Sequence, residues 1–156
     1  NIPLEFIFLS IKENLLEFQR LEIWQNALFF VKQRPLLGWG GATFGALYLL
    51  NNGLYKSQHS HNIILQIAQS YGLPCSILIS STIILLLVKS STIAFDKKNK
   101  IDPINKYWLI SSIIISVHQL FDIVLFEGRL NIIFCIILAG CKSILDRKKY
   151  ISNSVK

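Results

Sequence analysis

Three long apolar stretches constrain the fold of this chain more than any other feature of its sequence. They cover residues 73–88, 107–126 and 130–145, and the second contains His118 and Asp122. A hydrocarbon layer of about 30 Å needs roughly 20 helical residues. The first and third stretches are slightly short, but the first lengthens if its helix begins near Asn62, and the third lengthens through its flanking residues. The pattern predicts an all-α, multi-pass membrane protein in which three transmembrane helices follow an exported helical loop segment.

The composition supports a membrane protein. Hydrophobic residues make up 52% of the chain and charged residues 16%, whereas an ordinary soluble domain has about a quarter charged residues. This balance argues against a disordered chain and against a free cytosolic enzyme. The sequence contains no methionine, so we expect it to be a fragment of a longer protein whose further transmembrane helices would be its packing partners.

The basic residues predict which way the chain crosses the membrane. They concentrate in two segments, one after the first apolar stretch and one after the third: Lys89, Lys97, Lys98, Lys100 and Lys106, then Lys142, Arg147, Lys148, Lys149 and Lys156. Cytoplasmic loops carry an excess of Lys and Arg, so residues 1–70 and the short connection from Glu127 to Arg129 should face the outside. The net charge of +7 is then mostly a topology signal, and no nucleic-acid partner is predicted.

These patterns divide the chain into three parts. Residues 1–70 form an outer loop segment with an amphipathic helix and a Gly-rich turn, residues 71–147 form the three-span region, and residues 148–156 form a basic cytoplasmic tail. Pro35 should end the amphipathic helix, because proline disfavours helical geometry at the preceding residue. We expect this helix to lie at the membrane surface with its apolar positions on one face: Ile11, Leu15, Phe18, Leu21 and Leu28.

The Gly-rich segment PLLGWGGATFG follows this helix. Its glycines allow tight turns with exposed amides, but no strand precedes the segment and no Gly-Lys-Ser/Thr follows it, so it matches neither a dinucleotide fingerprint nor a P-loop. Two interpretations stay open, a phosphate cradle and a simple turn into the next helix.

Two histidines stand just before the first apolar stretch. His59 and His61 form a His-x-His pair, but no cysteine or nearby carboxylate completes a metal-ligand set, so we expect neither a metal nor a cofactor. Asn62 is a good helix cap and would place His61 at the lip of the helix. A neutral imidazole there could accept a proton near pH 7, as general-base catalysis requires.

These segments resemble a known family. RLEIWQNALFFVKQRPLLGWGGATF followed by HSHNIILQIAQSYGL is similar to the O-antigen ligase and Wzy polymerase superfamily of bacterial envelope proteins, over about residues 20–145. The family's ligase motif is His, then Asn, Ser or Gln, nine residues, Gly, two residues, and Gly, Thr or Tyr. His61, Asn62 and Gly72 fit this motif, whereas Cys75 departs from it at the last position.

The resemblance implies a metal-independent, inverting glycosyltransferase in the bacterial inner membrane, with residues 1–70 in the periplasm. Such a protein takes part in lipopolysaccharide biosynthesis, and it transfers a glycan from a lipid-linked undecaprenyl diphosphate to an acceptor hydroxyl such as that of lipid A-core. His61 would be the catalytic base and Arg20 the cation at the leaving diphosphate. Arg34 is the reserve cation, and His59, Asn62 and Arg129 would help to bind substrate.

Other functions stay open at this point. An O-antigen polymerase belongs to the same superfamily, some proteins similar to it are bicarbonate or small-anion transporters, and a scaffold subunit would keep the helices without the chemistry. His118 and Asp122 are four residues apart and would share one helix face. An ionisable group within a span is a functional candidate by default, although a hydrogen bond between two helices is an equal alternative.

Overall fold

Helices are the regular secondary structure of the residues that the structure describes. The structure is a computed structural model, and it describes residues 4–51, 57–95, 103–122 and 128–154. No strand occurs within these ranges. The helices are α1 (Leu4–Gln33), α2 (Phe44–Leu50), α3 (Ile63–Tyr71), α4 (Leu73–Ala94), α5 (Pro103–His118) and α6 (Gly128–Ser154).

The chain divides into two compact units, residues 1–76 and 77–156, and each is described here by itself. The first unit contains α1 to α3 and the first residues of α4, and it carries both histidines of the predicted site. The second unit contains the rest of α4 with α5 and α6. Part of the predicted basic loop (residues 96–102), the end of the second apolar stretch (residues 123–126) and Glu127 of the predicted outer connection lie outside the described residues.

Helix α1 ends at Gln33, two residues before Pro35, and this confirms the predicted end of the first helix. Three residues of the predicted apolar face, Phe18, Leu21 and Leu28, are exposed, so this face does not pack against the rest of the unit, and its placement at the membrane surface stays a prediction. The buried positions are Ile23, Ala27, Phe30 and Val31. Apolar residues occur on every side of α1, so packing against α2 and α3 selects the buried face, and spacing along the helix alone cannot.

The hydrophobic core of the first unit joins these three helices. Its buried members are Ile23, Ala27, Phe30, Phe44 and Tyr48, and Trp24, Trp39, Leu47 and Leu65 pack against them. The aromatic rings of Phe30 and Phe44 meet edge to face at 6.2 Å, an arrangement that the ring quadrupoles favour. This core fixes α3 against α1 and thereby positions the loop that precedes α3.

Helices α3 and α4 are separate, so the first apolar stretch does not lengthen back to Asn62 as predicted. Gly72 stands between them with φ +89° and ψ 165°, a backbone region that is essentially restricted to glycine. The apolar helix instead extends at its other end, to Ala94.

Helix α4 is the one helix in the described part of the chain that is long and apolar enough to cross a membrane. Its 22 residues rise about 33 Å at 1.5 Å per residue, which matches the hydrocarbon layer. Helix α5 has 16 residues and rises only about 24 Å, because it ends at His118 where the apolar stretch continues. Three spans were predicted, and the structure supports one of them.

The second unit packs through small and polar side chains. The indole N–H of Trp108 on α5 donates to the carbonyl oxygen of Ile137 on α6 at 2.8 Å, and Gly140 leaves the space that the indole occupies. The Cys141 thiol donates to Ser112 Oγ at 3.0 Å, and the Ser90 hydroxyl donates to the carbonyl of Cys141 at 3.0 Å. Small residues with side-chain hydrogen bonds are typical of helix packing in membranes.

Candidate functional site

Asn62 caps the N-terminus of α3. Its backbone is extended, with φ −151° and ψ 119°, and its side-chain oxygen accepts a hydrogen bond from the Leu65 backbone N–H at 3.1 Å. Such a cap satisfies one of the amides that a helix leaves unpaired at its start. The predicted cap is confirmed, and His61 is the residue immediately before it.

The backbone of His61 adopts a left-handed conformation with φ +51°. A positive φ is uncommon for a residue with a side chain, and such outliers cluster at functional sites. The side chain of His61 is half-buried, and its ring meets the ring of His59 edge to face, with centroids 4.3 Å apart. The structure therefore brings His59, His61 and Asn62 together in one short loop.

A buried glutamine of α3 forms a hydrogen bond with this loop. Gln66, on the second turn of α3, is buried, and its Oε1 accepts a hydrogen bond from the backbone N–H of buried Ser60 at 2.9 Å. The Ser60 hydroxyl in turn donates to the backbone carbonyl of Asn62 at 3.0 Å. The residues on both sides of His61 are therefore fixed by hydrogen bonds, and the one to Gln66 is buried, which strengthens it.

A second buried glutamine continues the network to the Gly-rich turn. Gln66 Nε2 donates to Ser70 Oγ at 3.2 Å, and the Ser70 hydroxyl donates to Gln69 Oε1 at 3.1 Å. Gln69 Nε2 then donates to Thr43 Oγ1 at 3.0 Å, and the Thr43 hydroxyl donates to the carbonyl of Gly40 at 2.8 Å. One chain of hydrogen bonds thus runs from the loop of His61 to the Gly-rich turn.

The amides of the Gly-rich turn bond to the protein itself. Trp39 N–H donates to the Gln69 carbonyl and Gly40 N–H to the Ser70 carbonyl, both at 2.8 Å, and Gly38 N–H donates to the Arg34 carbonyl at 3.1 Å. Three successive amides of the turn are therefore occupied and do not point at a ligand. The structure favours the simple turn over the phosphate cradle.

Two glycines let the turn and the end of α3 meet backbone to backbone. A Cβ on Gly38 would lie 2.5 Å from the Ser70 carbonyl carbon, and a Cβ on Gly72 would overlap the Leu36 carbonyl. Both glycines have positive φ. The motif glycine, Gly72, therefore serves the contact between α3 and the turn, while Cys75 at the last motif position is half-buried.

Arg34 follows the last residue of α1, at the start of the turn that bonds to the end of α3. Its guanidinium stacks over the ring of Trp39, 4.2 Å from the centroid, and the indole N–H of Trp39 donates to the Phe30 carbonyl at 2.9 Å. A cation–π contact of this kind holds the guanidinium at the C-terminal end of α1. Arg34 is thus beside the last turn of α3, whereas His61 precedes its first turn.

Arg20 is exposed on α1, fourteen residues before Arg34. Because α1 is unbroken up to Gln33, the two arginines are separated by roughly 21 Å along the helix. At this separation the two guanidinium groups cannot both bind one diphosphate.

The remaining predicted residues belong to the second unit. His118 is the last residue of α5, and Asp122 lies in the turn after it, where its backbone N–H donates to the His118 carbonyl at 2.9 Å. The prediction that His118 and Asp122 share one helix face is wrong, because the helix has already ended. Arg129 is in the first turn of α6, and its side chain lies outside the described part of the chain.

The sequence analysis missed the polar network of α3. Its members are Thr43, Ser60, Gln66, Gln69 and Ser70. The signal was present, since Gln66, Gln69 and Ser70 stand three and four positions apart in an otherwise apolar helix, which places them on one face. A polar stripe that faces a core must find partners there.

The comparison with protein families agrees with the motif. The family model Wzy_C, described as O-antigen ligase, matches residues 12–80, somewhat under half of the chain. This segment contains both candidate arginines of the first unit, the Gly-rich turn, the two histidines and the beginning of α4. This segment is therefore similar to the O-antigen ligase family, whose members are membrane proteins. No curated protein and no solved structure matched the chain.

Proposed function

We propose that this chain is part of an envelope glycosyltransferase that transfers a glycan from a lipid-linked undecaprenyl diphosphate to an acceptor hydroxyl, with lipid A-core as the acceptor. The observation that carries the proposal is His61, which stands in the ligase motif of the matched segment with a left-handed backbone just before a helix cap. A strained backbone at a motif histidine is expected where function requires a particular position of the imidazole, even though the backbone conformation costs stability.

In the proposed reaction His61 is the general base. The imidazole takes the proton of the acceptor hydroxyl as the oxygen attacks the anomeric carbon, and the bond between that carbon and the diphosphate oxygen breaks. The leaving diphosphate keeps the electron pair, and the configuration at carbon inverts. General-base catalysis of this kind contributes typically about 10² to 10⁴ in rate.

Arg20 is the proposed cation at the leaving diphosphate. The turn after α1 bonds to the end of α3 through Trp39 and Gln69, and Leu65 in the first turn of α3 packs against the core formed by α1 and α2. This arrangement supports a placement of the His61 end of α3 towards the Arg20 end of α1. Arg34 is held on Trp39, whose backbone bonds to the end of α3, and this favours Arg20 over Arg34 as the partner of His61.

The proposed location follows from the chemistry of the donor. A lipid-linked diphosphate lies at the membrane surface, and α4 begins one residue after Gly72 of the motif. We therefore place residues 1–70 on the periplasmic side of the inner membrane, as the lysines that follow the first apolar stretch also favour.

The test is His61→Asn in the full-length protein. Asparagine tolerates a left-handed backbone but cannot accept a proton near neutral pH, so this variant removes the base and keeps the loop. We expect glycan transfer to lipid A-core to fall by at least about 100-fold, measured in cells that lack the native gene and scaled to the amount of inserted protein.

Gln58→Asn is the matched control. It changes an exposed side chain of the same loop, and we expect it to retain most of the transfer. Normal transfer by the His61→Asn protein would refute the catalytic role. If cells with the His61→Asn protein make glycan polymer of normal length but do not attach it to lipid A-core, the protein is a ligase and not a polymerase.

A further inference from the structure

We propose that the turn formed by Pro35, Leu36 and Leu37 is a membrane anchor that inserts its two leucines into phospholipid at the end of α4 where that helix begins. The proposal rests on the membrane location under Proposed function, but it does not depend on the transfer reaction. Its ligand is the lipid leaflet itself.

The two leucines project from the protein. Leu36 is 71% exposed and Leu37 is 87% exposed. Exposed leucines are common on protein surfaces and mean little when they are single. The position of this pair in the fold gives it significance.

The turn is bonded to the start of the apolar helix. The Leu73 N–H, at the first residue of α4, donates to the carbonyl oxygen of Pro35 at 2.7 Å. The backbone of Leu36 lies so close to Gly72 that a side chain at position 72 would collide with the Leu36 carbonyl. The turn therefore cannot move away from the end of α4 without breaking this contact.

The length of α4 fixes the depth of that end. Its 22 residues rise about 33 Å, and the hydrocarbon layer is about 30 Å thick. The helix has little length to spare, so Leu73 must lie near the boundary between hydrocarbon and headgroups. The turn beside it, with Leu36 and Leu37, is held at the same depth.

The neighbouring residues match an interface with lipid rather than with another protein. Lys32 and Arg34 are exposed just before the turn, and Arg34 stacks on Trp39. Lys and Arg near the ends of spans extend their charges to the headgroups, and Trp is enriched at this depth. Exposed leucines next to an indole and two cations form the pattern of an interfacial anchor.

Insertion here would also set the height of the candidate site. The same turn bonds through Trp39 and Gly40 to the end of α3, and α3 carries His61 at its other end. An anchored turn would therefore fix α3, and with it His61, relative to the headgroups among which the donor diphosphate lies.

The experiment compares two introduced cysteine labels on the full-length protein in liposomes of phosphatidylethanolamine and phosphatidylglycerol. Leu37→Cys places an environment-sensitive fluorophore on the proposed anchor. Leu50→Cys places it at the end of α2, where the leucine is almost equally exposed, at 81%. The protein without either substitution, which keeps its native cysteines, including Cys75, Cys135 and Cys141, gives the labelling background that is subtracted from both.

We expect the label at position 37 to emit at shorter wavelength and to be quenched by lipids brominated near the headgroup more than by lipids brominated deep in the chain. The label at position 50 should be quenched at least about two-fold less. Equal quenching at both positions would indicate general adsorption of apolar surface, and it would overturn the proposal, as would no quenching at position 37. Since the measurement needs no donor, a failure of glycan transfer by this protein would leave its result unchanged.

Discussion

The two units of the protein use buried polar side chains for different purposes. In the first unit the amides of Gln66 and Gln69 bond to loops, at Ser60 and Thr43. In the second unit the hydroxyl, thiol and indole groups bond one helix to the next, as Trp108 does to Ile137. The first kind of bond holds a conformation that the chain would not adopt alone, whereas the second kind holds together helices that already exist.

This difference predicts different consequences of substitution. The loop around His61 has a left-handed residue and no regular structure, so side-chain hydrogen bonds such as that of Gln66 to Ser60 hold it. Helices of the second unit retain their own backbone hydrogen bonds when one contact is lost. We therefore expect substitutions in the first unit to change function and stability together, and substitutions in the second unit to change stability slightly.

The largest effect is expected for Gly72→Ala. A side chain at this position meets the Leu36 carbonyl, a backbone atom that cannot move independently, and it must adopt a backbone conformation that costs about 1 to 3 kcal/mol. We expect the free energy of unfolding to fall by more than about 3 kcal/mol, measured by thermal unfolding of the full-length protein in detergent.

Gly41→Ala is the matched control for this substitution. Gly41 is in the same turn, but its added Cβ would meet only the hydroxyl of the exposed Tyr71 side chain, at 3.0 Å, and that side chain can rotate away. We expect a change below about 1 kcal/mol. Similar losses for Gly72→Ala and Gly41→Ala would show that the backbone contact between turn and helix is not what stabilises the first unit.

The sequence predicted the parts of the first unit that depend on local chemistry. Pro35 ends α1 and Asn62 caps α3 as expected, because proline geometry and side-chain capping act over three or four residues. The buried face of α1 was not predicted, because it depends on which side meets Phe44 and Tyr48 from α2. The separation of α3 from α4 was also missed, since Gly72 alone gave no sign of its φ.

The candidate site shows the same limit. The motif identified His61 and Asn62, but it contained no information about Gln66, whose importance arises from its contact with Ser60. The prediction for His118 and Asp122 failed because apolar sequence continues after the end of α5. Residue types and spacing thus identified the loop, whereas the hydrogen bonds that hold it could be identified only from the packed structure.

The next effect in size is expected for Gln66→Leu. The substitution leaves the buried N–H of Ser60 without its acceptor, which costs about 1 to 3 kcal/mol. It also releases the backbone next to His61, and a displacement of about 1 Å at a catalytic group can cost 10²-fold in rate. We expect a fall in glycan transfer of between about 10-fold and 100-fold per folded protein.

Gln58→Leu, at an exposed position of the same loop, is the control and should retain transfer. Equal losses of transfer for the two variants would exclude a specific role of Gln66.

The smallest effect is expected for Ser112→Ala in the second unit. The hydroxyl of Ser112 accepts from the Cys141 thiol and donates to the Trp108 carbonyl of its own helix, so its removal loses one contact between α5 and α6. Interhelical hydrogen bonds in membranes contribute about 0.6 kcal/mol on average, and we expect a loss of that order in unfolding free energy, with unchanged glycan transfer per folded protein. Ser111→Ala, at the exposed neighbouring position, should leave the unfolding midpoint where it is. An equal loss of unfolding free energy for Ser112→Ala and Gln66→Leu would contradict the distinction between the two units. Helix packing in the second unit would then depend on a single polar contact as strongly as the His61 loop does.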